Sequence, residues 1–335
     1  MLTPTLHYHN AIKDAAAVAR SFLGLTSPNP AVGAVALNAE GQVIASAAHT
    51  IAGQPHAEVL LLQKCRELNI LRNIDVLGVT LEPCNHHGRT PPCTEAIIAS
   101  GIKKMIIGTR DPNPHVKGGG IERLQSAGIE ILCGINEGEC RWLIHAFSYH
   151  AVTGKPWITV KRALTSKGSM IPPHNQKTFT SPNSLKRAHL LRKKAGAILT
   201  GSGTILKDNP LFTVRNVPDY NEKKRYLAIL DRRRRVPDSY LKTAASHGLT
   251  PQIYDDFETA VADLSEKGVN DILVEAGPTL SDYVLQSNQW TMSVNIQQNT
   301  HQKYNNNDTF SVEFSPLNPI LSGISPFEWH YFLPE

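Results

Sequence analysis

The sequence has no apolar run approaching the roughly 20 residues that a membrane-spanning helix needs. Its N-terminal segment also lacks a basic stretch followed by an apolar core, which is the pattern of a secretory signal. Cysteine is scarce, and five cysteines scattered over 335 residues do not suggest a disulfide framework. These absences argue against membrane proteins and secreted disulfide-rich proteins. They predict a cytoplasmic protein whose thiols serve metal binding or thiolate chemistry.

Aromatic residues are also few, at 7% of the chain, and the formal net charge is a modest +5. The basic residues form clusters in the second half, at 193–194, 223–225 and 232–235. Such clusters are either solvated surface or a means of attracting a phosphorylated small molecule or nucleic acid. Because no aromatic residues alternate with them, a nucleic-acid deaminase or binding protein is disfavoured and is kept only as a further alternative.

Strand-like and helix-like periodicities alternate along both halves, which predicts an α/β fold class with two domains. In the first half we expect strands over 31–37, 43–48, 76–81, 104–108 and 129–133. Helices are expected over 11–23, 57–68, 94–100 and 121–127. Turn formers around 150–156 place the domain boundary there and give domains 1–150 and 151–335.

The second domain repeats the alternation but ends differently. We expect strands over 157–161, 197–200, 226–231 and 271–275, with a helix over 182–194. The last 45 or so residues contain NIQQNTHQKYNNNDT at 295–309, which is polar and has no period. This stretch predicts a loop or a disordered segment.

Three segments of the first domain carry residues that suit a catalytic zinc ion. His56 and Glu58 follow Pro55 at the start of a predicted helix, which brings their side chains near each other. Cys84 directly follows a predicted strand, and Cys93 comes after a proline-rich loop. One imidazole and two thiolates leave the fourth tetrahedral position open for water, as in catalytic zinc sites. We therefore predict a zinc deaminase with Glu58 as its proton-transferring residue. The predicted metal ligands are His56, Cys84 and Cys93.

Four motifs surround these residues: SPNPAVGA at 27–34, GQPHAEV at 53–59, EPCNHHGRTPPC at 82–93 and DPNP at 111–114. Together they resemble the bifunctional riboflavin-biosynthesis deaminase/reductase family. The resemblance implies a cytidine-deaminase-like three-layer domain. It also implies a diaminohydroxyphosphoribosylaminopyrimidine deaminase activity, which replaces the 2-amino group of a diaminopyrimidinone ribosyl phosphate with a carbonyl and releases ammonia.

The same resemblance suggests substrate contacts in the first domain. It assigns one to Asn29, whose amide can both donate to and accept from a pyrimidine edge. His49 and His86 would hydrogen-bond the base or sugar, and Arg89 would hold the phosphate. The alternative for all four is an ordinary polar loop residue. Asp111 is expected to stabilise its own loop.

The second domain resembles the reductase half of the family in AILTGSGTILKDNPLFTVR at 197–215 and VEAGPTL at 274–280. The resemblance implies a dihydrofolate-reductase-like fold. It also implies a 5-amino-6-(5-phosphoribosylamino)uracil reductase that uses NADPH to open the ribosyl ring into a ribityl chain. A glycine-bearing turn after a strand lets backbone N–H groups approach the cofactor phosphates. Cofactor contacts are expected at Thr204, Asp208, Gly277, Pro278, Thr279 and Leu280. Substrate contacts are expected at Lys161, Thr180, Arg192, Arg215 and Glu275.

Three residues depart from the family pattern. Lys167 stands where a carboxylate is expected, Thr178 where a tryptophan is usual and Arg232 where a serine is usual. Two readings of the second domain therefore stay open, an NADPH-dependent reductase and a degenerate domain kept for folding or substrate binding. The expected partners are a small phosphorylated pyrimidine and further copies of the chain, with no nucleic acid and no membrane.

Overall fold

The computed structural model describes residues 5–87, 91–113, 119–172, 180–221, 223–299 and 308–316. The chain divides into two compact units, Met1–Gly154 and Lys155–Glu335. The first unit ends with the helix His145–Thr153, whose C-cap Gly154 has a φ of 69°. Glycine is favoured at such a left-handed position after a helix. His150 is therefore helical, and the turn expected from 150 onward begins only at Gly154.

The first unit is built on a five-stranded sheet. Its strands are β1 (Gly33–Leu37), β2 (Val43–Ala48), β3 (Val76–Leu81), β4 (Lys104–Thr109) and β5 (Glu130–Cys133), in the order β2-β1-β3-β4-β5. β1 is antiparallel to β2 and β3, whereas β3, β4 and β5 are parallel. The helices are α1 (Leu6–Arg20), α2 (Ala57–Glu67), α3 (Cys93–Ser100), α4 (Gly120–Ser126), α5 (Glu137–Leu143) and α6 (His145–Thr153).

Alternate residues of β1 face opposite helical layers. Val35 belongs to a core cluster with Ile12 of α1, whereas Ala34 belongs to a cluster with Leu61 of α2 and Ile97 of α3. This alternation follows from the two-residue side-chain period of a strand. The first unit is therefore a three-layer α/β structure with a sheet between two sets of helices, as the sequence predicted.

The second unit is built on a seven-stranded sheet. Its strands are β6 (Trp157–Leu164), β7 (Ala197–Gly201), β8 (Arg225–Leu230), β9 (Leu249–Tyr254), β10 (Asp271–Val274), β11 (Met292–Gln297) and β12 (Thr309–Phe314), in the order β12-β11-β6-β10-β7-β8-β9. Among the described strands of this sheet, all neighbours are parallel except β11 and β12, which are antiparallel. The helices are α7 (Pro182–Lys194), α8 (Ser202–Asp208), α9 (Asp238–Ser246), α10 (Phe257–Glu266) and α11 (Pro278–Gln286). Because the strands are parallel, the carboxyl ends of β7 to β10 meet at one edge, where open α/β sheets bind ligands.

The asparagine-rich segment is partly regular structure, which corrects the expectation of a loop from 295 onward. Asn295 lies inside β11, where its residues pair in parallel with β6. Its side chain is buried, and Oδ1 accepts a hydrogen bond of 2.8 Å from Nε of Arg162. A polar residue can occupy a buried strand when its hydrogen-bonding groups are satisfied. Residues 300–307 lie outside the described part of the chain.

Candidate functional site

The ends of α2, β3 and α3 bring an imidazole and two thiols together in the first unit. His56 is the N-cap of α2, with an extended backbone after Pro55. Cys84 lies three residues beyond the end of β3, and Cys93 is the first residue of α3. The metal ligands predicted from the sequence thus come from three separate segments and meet at one point.

The distances between the three side chains fit a tetrahedral zinc site. Nδ1 of His56 lies 3.5 Å from Sγ of Cys84 and 3.3 Å from Sγ of Cys93, and the three ligand atoms all lie within 4.8 Å of one another. Zinc bonds of about 2.3 Å to sulfur and about 2.0–2.1 Å to nitrogen would place N and S about 3.6 Å apart at a tetrahedral angle. Hydrogen bonding to Cys93 and contact with His56 lower the pKa of the Cys84 thiol to about 4, against the effect of burial. The donor set therefore suits a divalent ion that binds thiolates.

Glu58 places a carboxyl group beside these ligands. It is the second residue of α2, is only 3% exposed and lines the same cavity as His56 and Cys84. Burial raises the pKa of Glu58 to about 7. A carboxyl group with a pKa near neutrality can both accept and donate a proton at physiological pH.

A buried histidine orients an amide at the wall of this cavity. Nδ1 of His49 lies 3.1 Å from the carbonyl oxygen of Pro55, and Nε2 lies 3.2 Å from Nδ2 of Asn29. Because the carbonyl can only accept, Nδ1 carries the proton and Nε2 accepts from the Asn29 amide. Burial lowers the pKa of His49, which keeps the ring neutral. Asn29 is thereby held with its Oδ1 available as an acceptor.

The cavity next to these groups has a volume of about 350 Å³. His86 is exposed at its wall, as expected of a substrate contact, and Asp111 also lines it. Oδ1 of Asp111 accepts a hydrogen bond of 2.9 Å from the backbone N–H of Asn113, which agrees with the expected role in its loop. The predicted phosphate contact Arg89 lies outside the described residues.

Glu82 is a residue of this region whose importance the sequence did not reveal. Its side chain is buried, with Oε2 accepting from the backbone N–H of Asp111 at 3.1 Å and Oε1 accepting from that of Ile121 at 3.0 Å. The carboxylate thus ties the end of β3 to the Asp111 loop and to the first turn of α4. The signal available in the sequence was a charged residue at the end of an otherwise apolar strand, directly before the Pro83-Cys84 pair.

A second cavity, of about 710 Å³, lies in the second unit at the carboxyl ends of β7, β8, β9 and β10. The residues predicted to contact the cofactor all line it: Thr204, Asp208, Gly277, Pro278, Thr279 and Leu280. Oγ1 of Thr204 accepts a hydrogen bond of 3.0 Å from the backbone N–H of Gly277, the N-cap of α11. The nine-residue helix α11 therefore begins at the cavity wall, where its free N–H groups suit a phosphate.

Glu275 stands at the centre of an ion cluster at the end of β10. Both of its carboxylate oxygens contact the guanidinium of Arg192, and Oε1 lies 3.0 Å from Nζ of Lys161. Burial opposes ionisation, but the two cations hold the pKa of Glu275 at about 2. Both oxygens of this carboxylate are thus paired with Arg192 or Lys161. Glu275 is therefore better placed to orient these two cations than to contact a substrate phosphate directly.

Arg192 connects this cluster to the segment that carries Arg215, another substrate candidate. Nη1 of Arg192 donates to the backbone oxygen of Thr213 at 3.1 Å, and Nη1 of Arg215 donates to the Thr213 hydroxyl at 2.6 Å. The backbone N–H of Arg215 donates to Nδ1 of His189 at 2.8 Å. Thr180 is half-buried and lies directly before the N-cap of α7, the helix that carries Arg192. None of the five substrate candidates, Lys161, Thr180, Arg192, Arg215 and Glu275, is among the residues lining the 710 Å³ cavity in the described structure.

The departures from the family pattern fall in three different places. Lys167 is exposed in a turn and is not among the described residues that line the cavity. Arg232 is exposed and lines the cavity. Thr178 lies outside the described residues. The second cavity thus keeps a phosphate-binding helix start and basic side chains, and its donor set fits a phosphorylated dinucleotide.

Two models of known protein families match the chain. The cytidine and deoxycytidylate deaminase zinc-binding region matches residues 7–109, which include all three predicted metal ligands. The RibD C-terminal domain matches residues 156–289, which include the second cavity's helix start. The folds and sites of the two units therefore define a zinc-dependent deaminase joined in one chain to a reductase domain.

Related proteins cover most of the chain. The riboflavin biosynthesis protein RibD of Aquifex aeolicus is 41% identical over 267 residues, which are 79% of this chain and 73% of the relative. RibD of Escherichia coli is 33% identical over 296 residues, covering 78% of this chain and 79% of the relative. The crystal structure of a diaminohydroxyphosphoribosylaminopyrimidine deaminase/5-amino-6-(5-phosphoribosylamino)uracil reductase from Thermotoga maritima is 32% identical. Its TM-score is 0.76, with 90% of this chain and 89% of that chain covered. This chain belongs to the RibD family of bifunctional riboflavin biosynthesis deaminase/reductases.

Family membership confirms the resemblance drawn from the motifs and the two fold types that it implied. It also confirms Zn²⁺ and NADPH as the cofactors of the two domains. No helix among the described residues is both long and apolar enough to cross a membrane.

Proposed function

We propose that the first unit deaminates a diaminopyrimidinone ribosyl phosphate and that the second unit uses NADPH to reduce the ribosyl group of the product to a ribityl chain. The reactions are those in the name of the Thermotoga maritima relative. The observation that carries the proposal is the cluster of His56, Cys84 and Cys93 beside the buried Glu58, at the wall of a cavity of about 350 Å³.

In the deaminase site, His56, Cys84 and Cys93 hold the zinc ion. When bound, Zn²⁺ supplies a Lewis acid that makes water a nucleophile at neutral pH. Glu58 takes the proton from the attacking water and delivers it to the departing amine. A C–O bond forms at C2 of the pyrimidine as the C2–N bond breaks, so that ammonia leaves and a carbonyl remains.

The residues around this cavity position the substrate. Asn29 donates one amide hydrogen to His49, so its Oδ1 accepts from an N–H group on the pyrimidine edge. His86 contacts the sugar at the exposed side of the cavity. Arg89, three residues after His86 in the sequence, holds the phosphate through its fork of donors.

In the reductase site, the start of α11 holds the phosphates of NADPH. The backbone N–H groups of Thr279 and Leu280 are among the unpaired donors of a helix start, and Thr204 fixes Gly277 in front of them. When bound, NADPH supplies the hydride that converts the opened ribosyl group to ribityl. Lys161 and Arg215 bind the sugar phosphate.

Other residues of the reductase site keep these groups in place. Glu275 orients Lys161 and Arg192 through its two carboxylate oxygens. Thr180, directly before the N-cap of α7, contacts the substrate, and Asp208 faces the cofactor from the end of α8.

A two-stage assay on the full chain tests the proposal. Ammonia release is measured first, and oxidation of NADPH on the deaminated product is measured second. Glu58→Gln is expected to abolish the first stage while the chain keeps its zinc and still oxidises NADPH on product supplied separately. Glu67→Gln changes an exposed carboxylate at the other end of α2 and should leave both stages unchanged. Full ammonia release by Glu58→Gln would overturn the assigned role.

The second stage decides between the two readings of the second domain. A reductase oxidises NADPH only when the deaminated product is present, whereas a degenerate domain shows no saturable NADPH binding. A cytoplasmic location and assembly into a homo-oligomer stay predictions, which cell fractionation and light scattering of the purified chain would test.

A further inference from the structure

The turn after β8 carries four consecutive arginines in two kinds of environment. Arg234 forms an ion pair of 3.0 Å with Asp255, and Nη2 of Arg235 donates to Oγ of Ser202 at 2.8 Å. These two guanidinium groups therefore serve the structure of the turn and of its neighbours. Arg234 does not line the 710 Å³ cavity in the described structure.

Arg232 and Arg233 are exposed and line the cavity, as Arg235 does, but they differ from Arg234 and Arg235 in their partners. Within the described part of the chain, neither forms an ion pair or a hydrogen bond with another residue. Lys207 also lines the cavity and directly precedes Asp208 in the sequence. Asp255 lines the cavity too, and its charge is neutralised by the ion pair with Arg234. This end of the cavity thus presents two guanidinium groups that lack a protein partner.

The acidic residue of the same turn lines the cavity but is almost completely covered by the protein. Asp231 is only 2% exposed, and its Oδ2 accepts a hydrogen bond of 2.8 Å from the backbone N–H of Val236. Oδ1 of Asp231 lies 3.7 Å from Nε of Arg235. In dinucleotide sites an acidic residue after a strand binds the ribose 2′-hydroxyl of NAD, whereas an arginine accommodates the 2′-phosphate of NADP. The turn after β8 exposes Arg232 and Arg233 at the cavity, whereas the carboxylate of Asp231 is covered.

The order of the strands places this turn at the adenosine end of the cofactor. The proposed phosphate cradle follows β10, and the substrate cations Lys161 and Arg192 gather around Glu275 at the end of the same strand. β7 and then β8 lie on the side of β10 that is opposite to β6, the strand of Lys161. A dinucleotide with its nicotinamide near the substrate therefore extends along the sheet edge toward β8.

We propose that Arg232 and Arg233 bind the 2′-phosphate of NADPH and thereby make the reductase select NADPH over NADH. The inference rests on the proposed reductase function of the second unit. Arg232, which departs from the serine usual in the family, is then an adaptation of this chain that supplies a second positive charge at the phosphate. The two residues act on cofactor selection and take no part in hydride transfer.

Isothermal titration calorimetry on the full chain tests this inference without an activity measurement. The ligands are adenosine 2′,5′-bisphosphate and adenosine 5′-monophosphate, which differ only in the 2′-phosphate. The test variant carries Arg232→Asn and Arg233→Asn, and the control carries Arg234→Asn. Asparagine is used throughout because Arg234 has a φ of 52°, which asparagine tolerates.

The wild-type chain is expected to prefer the bisphosphate strongly, and each arginine should contribute roughly ten-fold or more to that preference. The double variant should bind both ligands with similar affinity, whereas the Arg234→Asn control should keep the preference. A double variant that keeps it, or a control that loses as much, would overturn the inference. Titrations with NADPH and NADH distinguish a failure of the proposed cofactor selection from a failure of the proposed reductase function. Equal binding of both by the wild-type chain overturns the selection alone, and binding of neither overturns the reductase function as well.

Discussion

Nε2 of His49 accepts a hydrogen bond from the side-chain amide of Asn29 across 3.2 Å. The tautomer that permits this is fixed on the other side of the ring, where Nδ1 donates to the carbonyl of Pro55. His49 therefore sets which face of the Asn29 amide is offered to the substrate. We expect it to act as a positioning residue; because His49 also lines the cavity, the direct contact with the base or sugar expected from the sequence stays a prediction.

Replacing His49 tests this relationship. In His49→Leu the Asn29 amide loses the acceptor that fixes it, so the KM for ammonia release should rise about ten-fold with a smaller change in kcat. His49→Gln returns an acceptor oxygen and should recover part of the loss. Steady-state kinetics, with zinc content measured on each variant, give the comparison. An unchanged KM in a folded, zinc-loaded His49→Leu chain would contradict the assignment.

Glu82 should matter to both stability and deamination. Glu82→Gln sets an amide NH₂ group against one of the backbone N–H groups that the carboxylate now accepts from, at Asp111 or Ile121. The unsatisfied donor should cost about 1–3 kcal/mol of unfolding free energy. Because Asp111 lines the cavity, kcat/KM for ammonia release should fall as well.

Urea unfolding and ammonia release measure these two effects. Glu95→Gln is the matched control, since that carboxylate forms an exposed ion pair with Arg123 and should contribute less than about 1 kcal/mol. Equal destabilisation by the two substitutions would show that Glu82 has no special role.

Removing the metal should affect the two units differently. A chelator should abolish ammonia release and lower the unfolding temperature of the first unit, since an ion present at 1,000 times its Kd stabilises the folded state by about 4 kcal/mol. NADPH binding by the second unit should persist. Cys93→Ser should lose the ion, whereas Cys133→Ser, on β5, should keep it. Metal analysis and calorimetry provide the readouts, and full ammonia release from a verified metal-free chain would refute the site.

The second unit should lose stability in acid through Glu275. Its folded pKa of about 2 lies below its ordinary value of 4.5. The ionised carboxylate therefore adds stability that is fully present above about pH 4.5 and is lost as the pH falls toward 2, on the order of 3 kcal/mol. Glu275→Gln should be less stable at pH 7 but should change less between pH 4.5 and 2.

Urea titrations followed by tryptophan fluorescence can measure this difference. Trp142→Phe removes the one tryptophan of the first unit, so that the signal reports the second unit. Glu266→Gln, which changes an exposed carboxylate on α10, is the control and should follow the wild-type pH dependence. A parallel pH dependence for the wild type and Glu275→Gln would argue against the assigned stabilisation.

Local signals in the sequence were enough to predict many of the elements. The helix expected over 182–194 is α7, because Ser181 caps it through a hydrogen bond to Ser184, proline opens it and basic residues close it. The helix expected over 11–23 is α1, which begins at Leu6. Its first turn lies outside the buried core and is fixed by the Thr5 cap, which hydrophobic periodicity does not detect.

The cluster of His56, Cys84 and Cys93 could be predicted because each residue follows a local landmark: a proline before His56, the end of a strand before Cys84 and two prolines before Cys93. The interactions made by the side chains of Glu82 and Glu275 could not be predicted in this way. Their partners are backbone groups or cations from distant segments, so the contacts exist only once the sheets have formed. Asn295 was misjudged for the same reason, since its partner Arg162 lies on another strand.

The Lys161–Glu275–Arg192 cluster also indicates the order in which parts of the second unit fold. Lys161 follows Val160, which pairs with Val274 directly before Glu275, so the two charges become neighbours only when β6 and β10 align. Parallel pairing of such remote strands is a slow event in folding because the intervening chain must first be ordered. We therefore expect this cluster to form late in folding, after the helices have formed and the zinc-binding half has been synthesised.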